Sequence, residues 1–106
     1  MDTRSIPRVG PQFDPAHPGE VIEMTYLEDG GLTITALAAA LNVSPSTLSR
    51  IVSGKARISA DMAIRLEKVL GPSATSWLRM QAAYDEWQAR QHCDLTGLHR
   101  LTLQAA

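Results

Sequence analysis

Apolar residues recur at three- and four-residue steps through most of this chain, and no stretch shows the period of two that a half-buried strand needs. Val21, Ile22, Tyr26 and Leu27 predict a first helix. It starts at Pro18, where a first-turn proline is tolerated, and runs to about Glu28, before Asp29-Gly30-Gly31. Thr33 is a natural N-cap for a second helix whose inner face is Leu37, Ala38 and Leu41. Asn42 follows, a residue that accepts the left-handed backbone a tight corner requires, and Val43 points back to the core. Ser44 caps a third helix with Pro45 in its first turn, Leu48, Ile51 and Val52 as its buried stripe, and Gly54 as its stop. Ser59 caps a fourth helix that turns Met62, Ala63, Leu66, Val69 and Leu70 inward, and Gly71-Pro72 ends it. Ser73 or Thr75 opens a fifth, reaching about Gln91, with Trp77, Met80, Tyr84 and Trp87 on one stripe. Beyond Cys93, the spacing of Leu95, Leu98, Leu101 and Leu103 predicts a short amphipathic C-terminal helix capped by Asp94 or Thr96.

Residues 1–17 contain Pro7, Gly10, Pro11 and Pro15 and no apolar period, so they read as a flexible N-terminal arm. The expected fold is therefore all-α: a five-helix domain over residues 18–91, preceded by the arm (1–17) and followed by a C-terminal extension (92–106). A chain of 106 residues supplies one modest helical core and little room for a buried catalytic cleft.

Charge refines that picture. The net charge of −1 does not by itself suggest a nucleic-acid partner. Its distribution is more informative, because Glu20, Glu23, Glu28 and Asp29 make the first helical segment acidic. From Arg50 to Lys68 the excess is basic, with Arg50, Lys55, Arg57, Arg65 and Lys68 against Asp61 and Glu67. A local basic surface can grip phosphates although the chain as a whole is near neutral. The single cysteine, Cys93, fits a reducing cytoplasm and reads as an inert thiol. His17, His92 and His99 match no metal spacing and read as surface or capping residues, so no metal or cofactor is expected. Asp85 and Glu86 face different directions on a helix and do not form an acid–base pair. No Ser–His–Asp set or glycine-rich phosphate loop is present, and no enzyme activity is expected. No apolar run approaches the roughly 20 residues needed to cross a bilayer.

The segment from Thr33 to Gly54 carries the chemistry: two short helices meet at a tight corner. Ala38, four residues before Asn42, lets the helix backbones approach at a steep crossing. With the apolar stripe inside, Pro45, Ser46, Thr47, Ser49 and Arg50 lie on the outer side of the third helix. That short polar face suits a major groove about 12 Å wide. Arg50 can bond guanine O6 and N7, and Ser46 and Thr47 can bond bases or phosphates. The Ser44 amide, Lys55 and Arg57 are positioned for the sugar-phosphate backbone, where contacts hold register without reading sequence. The Trp77, Met80, Tyr84 and Trp87 stripe reads first as core and second as a dimer interface.

This segment resembles the Xre/Cro-like (lambda-repressor-like) helix-turn-helix family. Four stretches narrow the resemblance: His17-Pro18-Gly19-Glu20, Ala38 to Lys55, Ile58 to Leu66, and the Trp77 to Trp87 helix. Together they resemble the HigA (VapI-like) antitoxins, from His17 to about Arg90. The resemblance implies a homodimer that binds double-stranded operator DNA and represses its own operon. It also implies neutralisation of a HigB-like toxin, a RelE-like ribonuclease that cuts mRNA. The family often places Gln at the second residue of the first motif helix, where its amide meets a phosphate. This chain has Ile34 there, so the contact falls to Thr33 and Thr35. Two other readings fit the motif alone: a stand-alone regulator of phage-repressor kind, and a protein-interaction module that has lost DNA binding.

Overall fold

The computed structural model describes residues 14–104. Residues 1–13, most of the expected arm, lie outside the described residues, as do residues 105 and 106. Among the described residues there are five helical segments and no strand. The first, α1 (Pro18–Val21), runs on without a break as a π-helix (Ile22–Asp29). It is followed by α2 (Ile34–Leu41), α3 (Pro45–Val52), α4 (Ala60–Leu70) and α5 (Ala74–His92).

Local chemistry accounts for most of these boundaries. Thr33, Ser44, Ser59 and Ser73 are the N-caps of α2 to α5, and each side chain accepts a backbone N–H from the first turn it precedes. The start of α1 differs. His17 is its cap: Nδ1 accepts from Gly19 N at 2.9 Å, while the Glu20 carboxylate accepts from His17 N at 3.3 Å. This is a capping box with histidine in the place usually held by serine or threonine. At the other ends, α2 and α3 close with the same two hydrogen bonds. Val43 N donates to Ala38 O and Asn42 N to Ala39 O; Lys55 N donates to Arg50 O and Gly54 N to Ile51 O. The left-handed residue comes directly after α2, Asn42 at φ 60°, and one residue later after α3, where Ser53 is still right-handed and Gly54 takes φ 81°.

One layer of the core is Ile22, Leu37, Leu41, Leu48, Ile58, Leu66 and Trp77, all 2% exposed or less. Burying side chains of this kind stabilises by about 1.5–3 kcal/mol each relative to leaving them exposed. Ala38 and Ala63 are fully buried within the same core. Gly19 is small for a steric reason. A Cβ there would overlap the Ile51 carbonyl oxygen and crowd that of Val52, so α1 passes directly against the end of α3.

Two expectations are corrected. The first helix is π-helical from Ile22 to Asp29, not regular α. Ile22, Tyr26 and Leu27 lie four and five residues apart, a spacing that puts them on one face of either helix type. The short C-terminal helix is absent: residues 93–104 form one turn at Thr96-Gly97 and otherwise no regular structure. Asp94 Oδ1 accepts from Thr96 N at 3.0 Å, and Gly97 takes φ 89°, outside the helical region. Leu95, Leu98, Leu101 and Leu103 are 57–88% exposed. A short helix in water is marginal without an apolar face to bury, and nothing in the described chain receives these leucines.

Candidate nucleic-acid interface

The left-handed Asn42, at φ 60° and ψ 46°, turns the chain so that α3 crosses α2. Leu48 and Ile51 fill the inner face of α3, and this fixes the outer one. Ser44, Pro45, Ser46, Thr47, Ser49 and Arg50 are all exposed, as are Thr33, Thr35, Lys55 and Arg57. Every residue expected to meet DNA therefore stands at the surface. Ile34, at the position where the family often has Gln, is half-buried and packs on the core.

The hydroxyls at the start of α3 form a small ordered group. Ser44 Oγ accepts from Thr47 N at 3.1 Å and donates to Thr47 Oγ1 at 2.8 Å. Ser46 Oγ lies 3.3 Å from Ser44 Oγ. Because Thr47 Oγ1 accepts here, its own proton is free to donate outward. Arg50 Nη2 reaches the Lys55 carbonyl at 3.4 Å, a long contact across the turn that ends α3. Lys55 has no ion-pair partner among the described residues.

Arg57 is placed differently from the rest. It forms an ion pair with Asp85 of α5. Asp85 is held in turn by Gln81 Nε2 at 3.0 Å, and Gln81 Oε1 accepts from Ile58 N at 2.8 Å. Gln81 is only 2% exposed. The loop after α3 is thus tied to α5 by a polar chain running from the surface into the core. Sequence reading missed Gln81, although it lies one helical turn beyond Trp77 on the same stripe and could have been flagged by that spacing. On that stripe Trp77 is buried, Met80 packs against the core, and Tyr84 and Trp87 are half-buried.

Two further residues make contacts that were not foreseen, although His17 was expected as a surface or capping residue and does cap α1. Arg65 of α4 donates to the carbonyls of Leu41 and Asn42 at 2.8 and 3.2 Å, and its Nε donates to Asp61 at 2.5 Å. The Asp61–Arg65 spacing is legible as a helix pair; the reach to the corner is not. His17 is buried, with its ring edge-on to Tyr84 at 4.9 Å between centroids. Burial pushes its imidazole below the ordinary 6.5, partly opposed by a hydrogen bond with the Ala56 backbone and by the carboxylates of Asp85 and Glu20. No group of three metal-ligating side chains comes together among the described residues, and no helix there is long and apolar enough to cross a membrane.

The family model for helix-turn-helix proteins named HTH_3 matches residues 24–78. Virulence-associated protein I of Dichelobacter nodosus is 46% identical over 87 residues, which is 82% of this chain and 81% of that protein. The chain belongs to the HigA (VapI-like) branch of the helix-turn-helix family. Antitoxin HigA-1 of Vibrio cholerae serotype O1 is 37% identical over 76 residues, 72% of this chain and 71% of its own. Among solved structures, antitoxin GraA in complex with its operator matches with a TM-score of 0.79 at 32% identity, covering 92% of this chain and 99% of that one. The likeness to GraA covers 92% of this chain, well beyond the motif itself.

Proposed function

We propose that this chain is the antitoxin of a HigBA-like toxin–antitoxin pair: a dimeric operator-binding repressor of its own operon that also neutralises a RelE-like, mRNA-cleaving toxin. The observation that carries the DNA half is the amphipathic division of α3, with Leu48 and Ile51 buried and Ser46, Thr47, Ser49 and Arg50 exposed. It stands in a fold that matches an antitoxin solved on its operator. In this reading Arg50, Ser46 and Thr47 contact base edges. Thr33, Thr35, Ser44, Lys55 and Arg57 contact phosphates, and Pro45 and Ser49 line the groove.

The toxin half rests on the likeness to proteins named as antitoxins, HigA-1 over 72% of this chain and GraA over 92%. Dimerisation rests on Tyr84 and Trp87, aromatic side chains of α5 left half-buried by the monomer. The setting is cytoplasmic, where operon, messenger and toxin meet.

Two measurements test the pair of activities. The promoter fragment upstream of the gene is titrated with the protein at low and high salt. Tight, sequence-selective binding that weakens with salt is expected; equal binding to any DNA would overturn the repressor reading. The neighbouring small reading frame is then expressed with and without this protein. Growth arrest relieved by co-expression is expected, and arrest that persists while both proteins accumulate overturns the antitoxin reading.

A further inference from the structure

The α2–α3 corner carries more unmet backbone charge than its own helix can satisfy. Val43 N and Asn42 N satisfy the carbonyls of Ala38 and Ala39, which leaves the last carbonyls of α2 pointing out of the helix end. α2 has no basic residue in its last turn to meet them. The partner comes instead from α4: Arg65 Nη1 donates to Leu41 O at 2.8 Å and to Asn42 O at 3.2 Å. Asp61, one turn earlier on α4, accepts from Arg65 Nε and fixes the plane of the guanidinium from the other side. Asn42 is also the only non-glycine residue with positive φ among the described residues, so the clamp grips the one strained point of the motif.

We infer that Arg65 is a positioning residue for DNA recognition, locking the left-handed corner so that α3 keeps one angle to α2. The inference rests on the operator-binding reading above. Its physical basis is that one guanidinium nitrogen, Nη1, bonds both carbonyls while Nε of the same planar group is held by Asp61, which fixes orientation as well as distance in a way that a freely rotating ammonium does not. A corner free to rock would still present Lys55 and the hydroxyls to phosphates. It would lose the simultaneous fit of phosphate contacts from α2 and base contacts from α3. The predicted loss therefore falls on discrimination between sequences, not on general attraction to DNA.

The test compares the full chain with Arg65→Gln and Arg65→Lys, at a temperature where circular dichroism shows all three folded. Dissociation constants are measured for the upstream promoter fragment and for a scrambled fragment of equal length, across a salt series. Arg65→Gln is expected to bind the promoter at least about tenfold more weakly, with near-unchanged binding to scrambled DNA and an unchanged salt slope. Lysine, which keeps the charge but not the planar group, restores less than half of that loss on a logarithmic scale. A salt slope reduced by about one would make Arg65 a direct phosphate contact and overturn the inference. So would full rescue by lysine, or an equal loss on both fragments. Amide hydrogen exchange of the free proteins gives a readout that needs no DNA. Asn42 and Val43 N–H are expected to exchange at least tenfold faster in Arg65→Gln, and unchanged exchange there would also overturn it. If the wild-type protein fails to prefer the promoter while the exchange result holds, the operator reading falls and the corner clamp stands.

Discussion

In the proposed operator complex, Arg50 on the outer face of α3 and Lys55 just beyond it have separate roles, and single substitutions distinguish them. Arg50 has a long donor contact to the Lys55 carbonyl and otherwise faces solvent, so it is free to swing to a base edge. Arg50→Ala is expected to cost about 1–3 kcal/mol in promoter binding and to relax selectivity at one base pair, as a binding scan over single-base variants would report. Lys55→Ala is expected to weaken every fragment about equally and to reduce the salt slope by about one. Gln81 tests the interior. Replacing it with Leu leaves Ile58 N–H buried without an acceptor and Asp85 without its amide donor. A loss of about 1–3 kcal/mol in urea unfolding is expected, although the substitution makes the core more apolar. His17 supplies a pH dependence whose sign follows from burial. Its pKa is lowered in the folded protein, so the unfolded chain takes up the proton first as pH falls. Stability is therefore level with respect to this group above about pH 6.5 and declines below it, towards the lower folded value. Melting temperatures between pH 7.5 and 5.5 check this, with His17→Asn expected to flatten the decline. A midpoint that rises on acidification in that window would contradict it.

At the scale of elements, the motif was legible because its signals are local. A serine or threonine before each of α2 to α5, a proline after one of them, and an asparagine at the corner act through hydrogen bonds within a few residues. What escaped depends on contacts far along the chain. Arg65 meets carbonyls more than twenty positions away, and Gln81 meets Ile58 at a similar separation. The C-terminal leucines had helical spacing but no surface to bury against, and periodicity carries no information about the presence of a partner face. Gly19 shows how a local rule can reverse in context. In an exposed helix, Gly→Ala stabilises by about 1 kcal/mol. Here the added methyl meets the backbone carbonyl of Ile51, which cannot swing aside as a side chain would. Gly19→Ala is expected to destabilise by about 2 kcal/mol or more, because α1 must lift from the end of α3. Thermal and urea unfolding measure the sign directly. A stabilised variant would mean that the close approach of α1 to α3 is wrong.

For the whole molecule, the decisive quantity in the proposed dimer is the distance between two copies of α3. One exposed helix face of a few polar residues reads only a short stretch of groove, and so few cations limit its affinity. Two copies in a symmetric dimer, set about 34 Å apart, would read two half-sites one turn apart on the same side of the duplex. The proposed dimer buries Tyr84 and Trp87 of α5, and the same helix holds Asp85, which ties Arg57 and the loop after α3. In the proposed dimer, the contact surface on α5 is thus linked to the loop beside the proposed DNA face through the Arg57–Asp85 ion pair. Trp87 is half-buried in the monomer, so a charge there disturbs little of the core while opposing a shared apolar interface. Trp87→Glu is expected to sediment as a monomer, to keep its helical spectrum, and to lose at least about a hundredfold in promoter affinity as the second half-site contact becomes a separate binding event. The DNA supplies the matching perturbation. Inserting five base pairs between the half-sites turns the second α3 to the far side of the duplex, and wild-type binding should fall to the level of the Trp87→Glu variant. Inserting ten restores the facing but not the spacing, and recovery should remain incomplete for a dimer held rigidly through α5. Full affinity in the Trp87→Glu monomer, or indifference to the five-pair insertion, would place the two reading heads on independent subunits.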